Sequence, residues 1–242
     1  METSAIKSFI TENLTTLLQV LGFLCILVVL IHIIREYLKN RADMKVLVEG
    51  PVYLIDDTEV RITPEKIMKS IDGTEYTLGF WVYNRNPPEN ANWKNDYNKL
   101  KGVINHKQSP TVLFNPRDSE LYVQIGYFDK DEIAQYERVH LPIVKQRWQH
   151  IVITAKDKLI DFYVDGILEK STKLPYEPYF SKRNMFLGEK GNQSLLTIAN
   201  VSWGGKWHDS NQVKSFHKKQ RKEHIVIREP DTYVEQLDKR FS

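Results

Sequence analysis

The chain has 242 residues, of which 41% are hydrophobic, 27% charged and 11% aromatic, and these are the proportions of a folded globular protein. Its 34 Lys and Arg against 31 Asp and Glu leave a formal charge of +3, which argues against nucleic acid as a partner. The single Cys excludes an intramolecular disulfide and any zinc module that needs several cysteines.

The N-terminal part of the chain is strongly apolar. Residues 13–34 contain no Asp, Glu, Lys or Arg, and a helix of that length is about 33 Å long, against a hydrocarbon core of about 30 Å. This predicts a transmembrane helix over residues 14–34, after an N-terminal segment over 1–13 and before a basic connector over 35–45. A cleavable signal peptide would have a shorter apolar region followed by a small-residue cleavage site, so a retained anchor is favoured.

The charges around this segment predict its orientation. The flanking cations are Lys7 before it and Arg35, Lys39, Arg41 and Lys45 after it. Positive charge is enriched on the cytosolic side of a membrane, so we expect a single-pass protein with its C-terminal domain in the cytosol. Glycosylation sequons at Asn13, Asn192 and Asn200 leave a lumenal domain as the alternative.

Residues 46–205 alternate between short runs rich in Val, Ile, Tyr, Phe and Trp and clusters of Gly, Pro, Asn and Asp, which is typical of strands and turns. The predicted strands are 46–55, 59–62, 76–84, 102–105, 111–114, 120–127, 138–141, 149–155, 159–164, 167–171, 184–187 and 195–201. So many strands favour two stacked antiparallel sheets. Asp165 and Gly166 predict a hairpin turn between two of them.

Four motifs in this region occur in a familiar order. They are YTLGFWV at 76–82, WQHIVIT at 148–154, IDFYVDGIL at 160–168 and MFLG at 185–188. Together they resemble the laminin-G-like, concanavalin A-like jelly-roll family. The resemblance implies an all-β, two-sheet antiparallel jelly-roll sandwich over 46–205. The family closes with a strand that carries an acidic pair, and residues 196–203 (LTIANVSW) lack it, so the resemblance does not imply a calcium site.

Large aromatic side chains recur at alternating strand positions. We interpret Phe80, Trp81, Trp148, Phe162 and Phe186 as inner-face core residues, because aromatics within strands usually pack. His150, beside one of them, is expected to be a hydrogen-bonded sheet residue.

A search for catalytic patterns gives none. The Glu-x-Asp-x-x-Glu spacing of related glycosidases does not occur, nor does a phosphate loop, a Gly-x-Ser-x-Gly elbow or a His-Glu-x-x-His motif. The acidic group Asp129, Asp131 and Glu132 is interpreted as a solvated turn, with a calcium-binding loop as the alternative. We therefore predict a protein that is not an enzyme, with no catalytic residue, no cofactor and no metal ligand.

Two regions are predicted to contact a partner or ligand. The first is the polar loop between 84 and 101, where Trp93 and Tyr97 are the candidates. The second is the charged C-terminal tail over 206–242, whose candidates are Lys218, Lys219, Arg221 and Lys222. Residues 224–227 within the tail could add an edge strand to a partner sheet.

These features predict a non-enzymatic binding or scaffold protein that is anchored in a lipid bilayer and links it to a protein layer. Its layout resembles a membrane-anchored minor capsid protein of a large DNA virus with an internal membrane, which implies capsid or coat proteins as partners in the virion. The alternative is a cell-surface lectin-like or adhesion protein that binds carbohydrate.

Overall fold

The computed structural model describes residues 13–14, 16, 18–34, 44–54, 59–67, 75–85, 99–192 and 194–223. The chain divides into two compact units, Met1–Asp43 and Met44–Ser242.

The first unit contains helix α1, which is described without interruption over residues 18–34. Its described side chains are all exposed, with Phe23 the most exposed apolar residue. Along the described part of the chain, no helix combines the length and the apolar character that crossing a membrane requires. Along the described residues, the predicted transmembrane helix over 14–34 is thus not supported. Residues 15 and 17 of that prediction lie outside the described residues.

The second unit is a sandwich of twelve strands in the part of the chain that the structure describes. The strands are β1 (Lys45–Tyr53), β2 (Val60–Ile62), β3 (Tyr76–Asn84), β4 (Lys101–Asn105), β5 (Thr111–Asn115), β6 (Glu120–Phe128), β7 (Ala134–Pro142), β8 (Trp148–Lys156), β9 (Leu159–Val164), β10 (Ile167–Lys173), β11 (Met185–Leu187) and β12 (Leu196–Gly204). Sheet A has the order β1-β12-β3-β8-β9-β10 and sheet B the order β2-β11-β4-β5-β6-β7. Every pairing between these strands is antiparallel, so the predicted all-β two-sheet class is confirmed.

One hydrophobic core lies between the two sheets. Alternate residues of most strands enter it, such as Phe80, Ile151 and Phe162 from sheet A. Leu121 and Phe114 enter it from sheet B. The predicted hairpin is present, because Asp165 (φ 53°) and Gly166 (φ +80°) both take the left-handed conformation that a two-residue turn requires.

The interpretation of the five aromatics as core is only partly correct. Phe80 and Phe162 are in the core. Trp81 is buried, but it lies on the outer face of sheet A, one position along the strand from Phe80. Trp148 and Phe186 are half-buried and do not belong to the core cluster. Residue type alone does not tell which of two adjacent strand positions faces inward.

The C-terminal tail predicted over 206–242 contains an element that the sequence analysis missed. Helix α2 (Ser210–Glu223) packs on the outer face of sheet A. It begins with a capping arrangement in which the Gln212 backbone N–H donates to Asp209 Oδ1 at 2.8 Å. Its buried positions are Val213, His217 and Gln220, with Phe216 partly buried. This i, i+3, i+4, i+7 spacing is helical, but two of its four members are polar, which hides the apolar stripe.

Candidate binding face

The outer face of sheet B is exposed along β7 and partly covered along β6, where the ring of Tyr179 lies over Gly126. Leu121, Val123 and Ile125 enter the core, so the residues between them point outward. The outward residues that pair across the two strands are Tyr122 with His140, Gln124 with Arg138, and Gly126 with Tyr136. We call Tyr122, Gln124, Tyr136, Arg138 and His140 the sheet B face.

Arg138 occupies the centre of the sheet B face. Its guanidinium carbon lies 5.8 Å from the ring centroid of Tyr122 and 5.7 Å from that of Tyr136. When the amide of Gln124 is oriented with its oxygen toward Arg138, this oxygen accepts hydrogen bonds from Arg138 Nη2 at 2.8 Å and from Arg138 Nε at 3.3 Å. A cation within about 6 Å of an aromatic ring is attracted to it. The exposed arginine therefore has a fixed position, and its five N–H donors exceed what Gln124 uses.

Tyr122 is oriented by its neighbours. Its ring lies 4.1 Å from the ring of His140, and its hydroxyl accepts a hydrogen bond from Asn115 Nδ2 at 2.9 Å. His140 Nδ1 is in turn 3.3 Å from Glu120 Oε2. These contacts hold a half-buried ring and a His–Glu pair on a regular sheet, where side chains are positioned more precisely than on a loop.

The chemistry of the sheet B face is that of a ligand platform. Tyr136 is 47% exposed, so part of its surface is available for stacking. Exposed aromatic rings offer flat apolar area with a polar edge, and a guanidinium donates to hydroxyl or carboxylate oxygens in a fixed geometry. Together these groups can hold a ring-shaped polar ligand against the sheet.

The residues predicted from the sequence to make contacts are located elsewhere. Trp93 and Tyr97 lie outside the described residues. Lys218, Lys219, Arg221 and Lys222 are exposed on α2, which covers the other sheet. The edge strand predicted over 224–227 also lies outside the described part of the chain.

The acidic group near the β6–β7 connection forms a turn. Asp129 Oδ1 accepts hydrogen bonds from the backbone N–H of Asp131 and Ile133, both at 2.9 Å. The hydrogen bond from Ile133, more than any other cause, lowers the pKa of this exposed carboxyl. Among the described residues no group of His, Cys, Asp and Glu has the arrangement of a metal site. The prediction of a solvated turn is consistent with these contacts.

The sequon at Asn200 is built into the fold. Asn200 is 4% exposed, and its Oδ1 accepts a hydrogen bond from the backbone N–H of Gly50 at 3.2 Å. A glycan on this amide would have to displace strand β1. Asn192 is more accessible, although its Nδ2 donates to Glu189 Oε2 at 2.6 Å.

The sheet B face was not predicted from the sequence. Tyr122 was inside a predicted strand, and Tyr136 preceded the predicted start of the next one. One signal was available, because residues 121–125 (LYVQI) alternate aliphatic side chains with a Tyr and a Gln. Strict alternation indicates one buried and one exposed face, and Tyr122 is on the polar side of it.

The family described as the Concanavalin A-like lectin/glucanases superfamily matches residues 56–206. Among curated proteins, none matches the chain in sequence.

Several solved structures share the fold. The receptor binding domain of botulinum neurotoxin C/D mosaic serotype is similar with a TM-score of 0.55 and 14% identity, over 74% of this chain and 46% of that one. The binding domain of Paraclostridial Mosquitocidal Protein 1 is similar with a TM-score of 0.54 and 13% identity, over 74% of this chain and 48% of that one. A third similar structure is the botulinum neurotoxin serotype D ligand binding domain in complex with N-acetylneuraminic acid. It has a TM-score of 0.53 and 14% identity, over 74% of this chain and 46% of that one. The chain thus spans about half the length of these proteins, and identities this low establish the fold alone.

Proposed function

Since the chain belongs to the Concanavalin A-like lectin/glucanases superfamily, we propose that it is a non-enzymatic binding module that holds a glycan on the sheet B face. This develops the carbohydrate-binding alternative of the sequence analysis.

The observation that carries the proposal is the position of Arg138 between two tyrosines on an exposed sheet. Tyr122 and Tyr136 flank the guanidinium at similar distances, and Gln124 orients it. A sugar ring has one apolar face and a rim of hydroxyl groups. It fits a platform that offers an aromatic surface beside planar N–H donors. The solved neurotoxin domain that carries N-acetylneuraminic acid supports the same ligand class on this fold.

The acids on the same face support binding without hydrolysis. Glycoside hydrolysis needs two carboxyl groups on either side of the scissile bond. On β6 and β7, both described in full, the outward positions include one carboxylate, Glu120, and its Oε2 faces His140 at 3.3 Å. The other carboxylate of these strands, Glu137, pairs with the core residue Ile125 and so lies at a position of the opposite face, which leaves the outward positions of β6 and β7 without the usual acid and nucleophile pair.

The test is glycan binding by the full chain and by Arg138→Ala. A glycan array of neutral and acidic oligosaccharides identifies the ligand, and titration calorimetry then gives the affinity. We expect Arg138→Ala to weaken binding about tenfold or more, because it removes both the guanidinium donors and the cation beside the rings.

The matched control is Arg117→Ala, since Arg117 is an exposed arginine on the β5–β6 turn of the same sheet. It should bind as the unchanged chain does. Equal affinities of the Arg138 variant and the unchanged chain would contradict the proposal, and so would the lack of any glycan ligand on the array.

We also propose, from the sequence, that residues 14–34 attach the chain to a lipid bilayer and leave the sandwich on the cytosolic side. The exposed apolar side chains of α1, such as Leu21, Phe23 and Ile26, support attachment. Proteolysis of sealed microsomes tests it. Digestion of the sandwich without detergent is expected, whereas its protection, or release of the chain by an alkaline wash, would contradict it.

A link between the membrane and a protein layer stays a prediction. Neither the family match nor the similar solved structures support a minor capsid protein of a virion. Purification of the full chain with its bound proteins would identify a coat or capsid partner.

A further inference from the structure

The exposed side of α2 concentrates positive charge. Its exposed cations are Lys214, Lys218, Lys219, Arg221 and Lys222, and the sequence of the helix contains one acid, Glu223, at its last position. The whole chain is nearly balanced, with 34 basic against 31 acidic residues. Surfaces that only need to be soluble usually interleave the two signs. The accumulation of positive charge on the exposed side of α2 is therefore specific to this surface and does not follow from the composition of the whole chain.

The packing of α2 on sheet A holds these cations in place. Gln220 and Val213 lie on the buried side of the helix. On the exposed side, Lys214, Lys218 and Arg221 are spaced by four and three residues and so share one flank. This flank is next to the β9–β10 turn, because the Cα atom of Lys214 is 3.4 Å from the position that a Cβ at Gly166 would take.

Two apolar side chains follow Gly166 at the edge of sheet A. Ile167 is 68% exposed and Leu168 is 48% exposed. Ile167 is the most exposed large hydrophobic residue that the structure describes in the second unit. Adjacent exposed aliphatic residues at a turn are costly to hydrate, and in soluble surfaces they mark contact sites when they cluster with other features.

The acids near this turn do not neutralise the surface. Asp165 forms a salt bridge with Arg147 Nη2 at 2.8 Å. Glu169 is exposed, and it has Lys170 beside it in the chain. The cations of α2 thus remain in excess around Ile167 and Leu168.

We propose that the exposed cations of α2 together with Ile167 and Leu168 form a surface that docks on an anionic lipid bilayer; we call it the α2–turn surface. Cations attract anionic headgroups, and short apolar side chains beside them enter the interface between headgroups and acyl chains. The exposed apolar pair distinguishes a bilayer from a nucleic acid, which would need the charge alone. This function goes beyond glycan binding and uses the opposite sheet.

The experiment reports on the turn itself, so that attachment through α1 does not mask the result. The full chain carries Cys25→Ser and Leu168→Cys, and an environment-sensitive fluorophore is attached to the new thiol. Vesicles of phosphatidylcholine with phosphatidylserine should shift the emission to the blue, whereas vesicles of phosphatidylcholine alone should not. Lys214→Glu, Lys218→Glu and Lys222→Glu together should weaken this response about tenfold or more.

The matched control is Lys130→Glu, Lys182→Glu and Lys190→Glu, which changes the net charge equally at exposed positions away from α2. It should keep the response.

A Lys→Gln version of the α2 triple variant replaces the Glu version if circular dichroism shows that the Glu version is unfolded. An equal response to neutral vesicles, equal losses in both triple variants, or a response to duplex DNA but not to vesicles would overturn the proposal. Glycan titrations of the same proteins test the sheet B face separately. They therefore distinguish a failure of the bilayer-docking proposal from a failure of the glycan-binding proposal.

Discussion

Gln220 ties α2 to sheet A through two buried polar groups. Its Oε1 accepts a hydrogen bond from Trp81 Nε1 at 2.8 Å, and its Nε2 donates to Ser202 Oγ at 3.0 Å. Gln220 itself is 3% exposed. The amide thus satisfies groups from two different strands under the helix.

Gln220→Ala should lower the free energy of unfolding by about 1–3 kcal/mol, because it leaves a buried indole N–H without its acceptor. Urea unfolding followed by fluorescence measures the change. Asn211→Ala, at an exposed position of the same helix, is the control and should change stability by less than about 0.5 kcal/mol. Equal effects of the two substitutions would show that Gln220 is not a structural tie.

His150 lies in the same interface and is fully buried. Its ring is stacked on Trp81 at 4.9 Å, and its Nδ1 is 3.3 Å from Nδ1 of His217. Its Nε2 has no hydrogen-bond partner in the described structure. Burial, with a smaller effect of His217, lowers the pKa of His150 to about 3. The folded protein therefore keeps this imidazole neutral.

This predicts that acid weakens the fold. An unfolded His binds a proton below about pH 6.5 while the folded one does not, so the free energy of unfolding should fall as the pH drops from about 6.5 toward 3. The slope for one such group is at most about 1.4 kcal/mol per pH unit. His150→Phe should make the dependence shallower in urea unfolding at several pH values. Burial also lowers the pKa of His106, so part of the dependence should remain.

His140→Phe provides the control for this measurement, because His140 is an exposed His on sheet B. His150→Phe should change the slope more than His140→Phe does. An unaltered slope in His150→Phe would contradict the assignment of acid sensitivity to the α2 interface.

At the scale of elements, the β9–β10 hairpin and α2 depend on each other through one glycine. Gly166 has φ +80°, and a Cβ there would be 3.3 Å from the Cβ of His217. The position combines a left-handed backbone with close approach of a helix. Gly191 has a similar φ of +75° but has nothing within 4 Å of the corresponding position.

Comparing Gly166→Ala with Gly191→Ala separates these two effects. Gly191→Ala should cost about 1–2 kcal/mol, the penalty of an L residue in the left-handed region. Gly166→Ala should cost about 1 kcal/mol more, because α2 must shift to admit the methyl group. Thermal unfolding of both variants measures the difference. If the two costs were the same, contact with α2 would not constrain the turn.

At the scale of the whole molecule, the two sheets share one core and should unfold together. Leu121 on sheet B is fully buried in that core, whereas Leu113 on the neighbouring strand is half-buried on the outer face. Both changes to Ala remove the same atoms, so the comparison isolates the contribution of the core.

Leu121→Ala should cost about 2–5 kcal/mol, and Leu113→Ala clearly less. Because Trp81 and Trp203 belong to sheet A, their fluorescence should report the same shifted midpoint as far-ultraviolet circular dichroism. Separate midpoints for the two signals would show that the sheets unfold independently, and similar costs of the two substitutions would argue against a single shared core.

Much of the sandwich could be predicted because its signals are local. The hairpin at Asp165 and Gly166 needs two residues with positive φ, and the sequence supplies them in adjacent positions. Strands β3, β8 and β9 were predicted almost completely because Val, Ile and aromatic residues are concentrated in them. The start of β7 was missed, because residues 134–137 (AQYE) lack such a run.

The sequence by itself determined the all-β class, the number of strands and the family, since each rests on patterns within a few residues. Only the tertiary structure decided that α2 covers sheet A, that Trp81 is buried beneath it, and that Tyr122, Tyr136 and Arg138 meet on sheet B. The physical reason is that the side of a strand a residue occupies, and what covers it, depend on pairing between distant segments. Trp81 and Gln220 are far apart in the chain, yet they share one hydrogen bond.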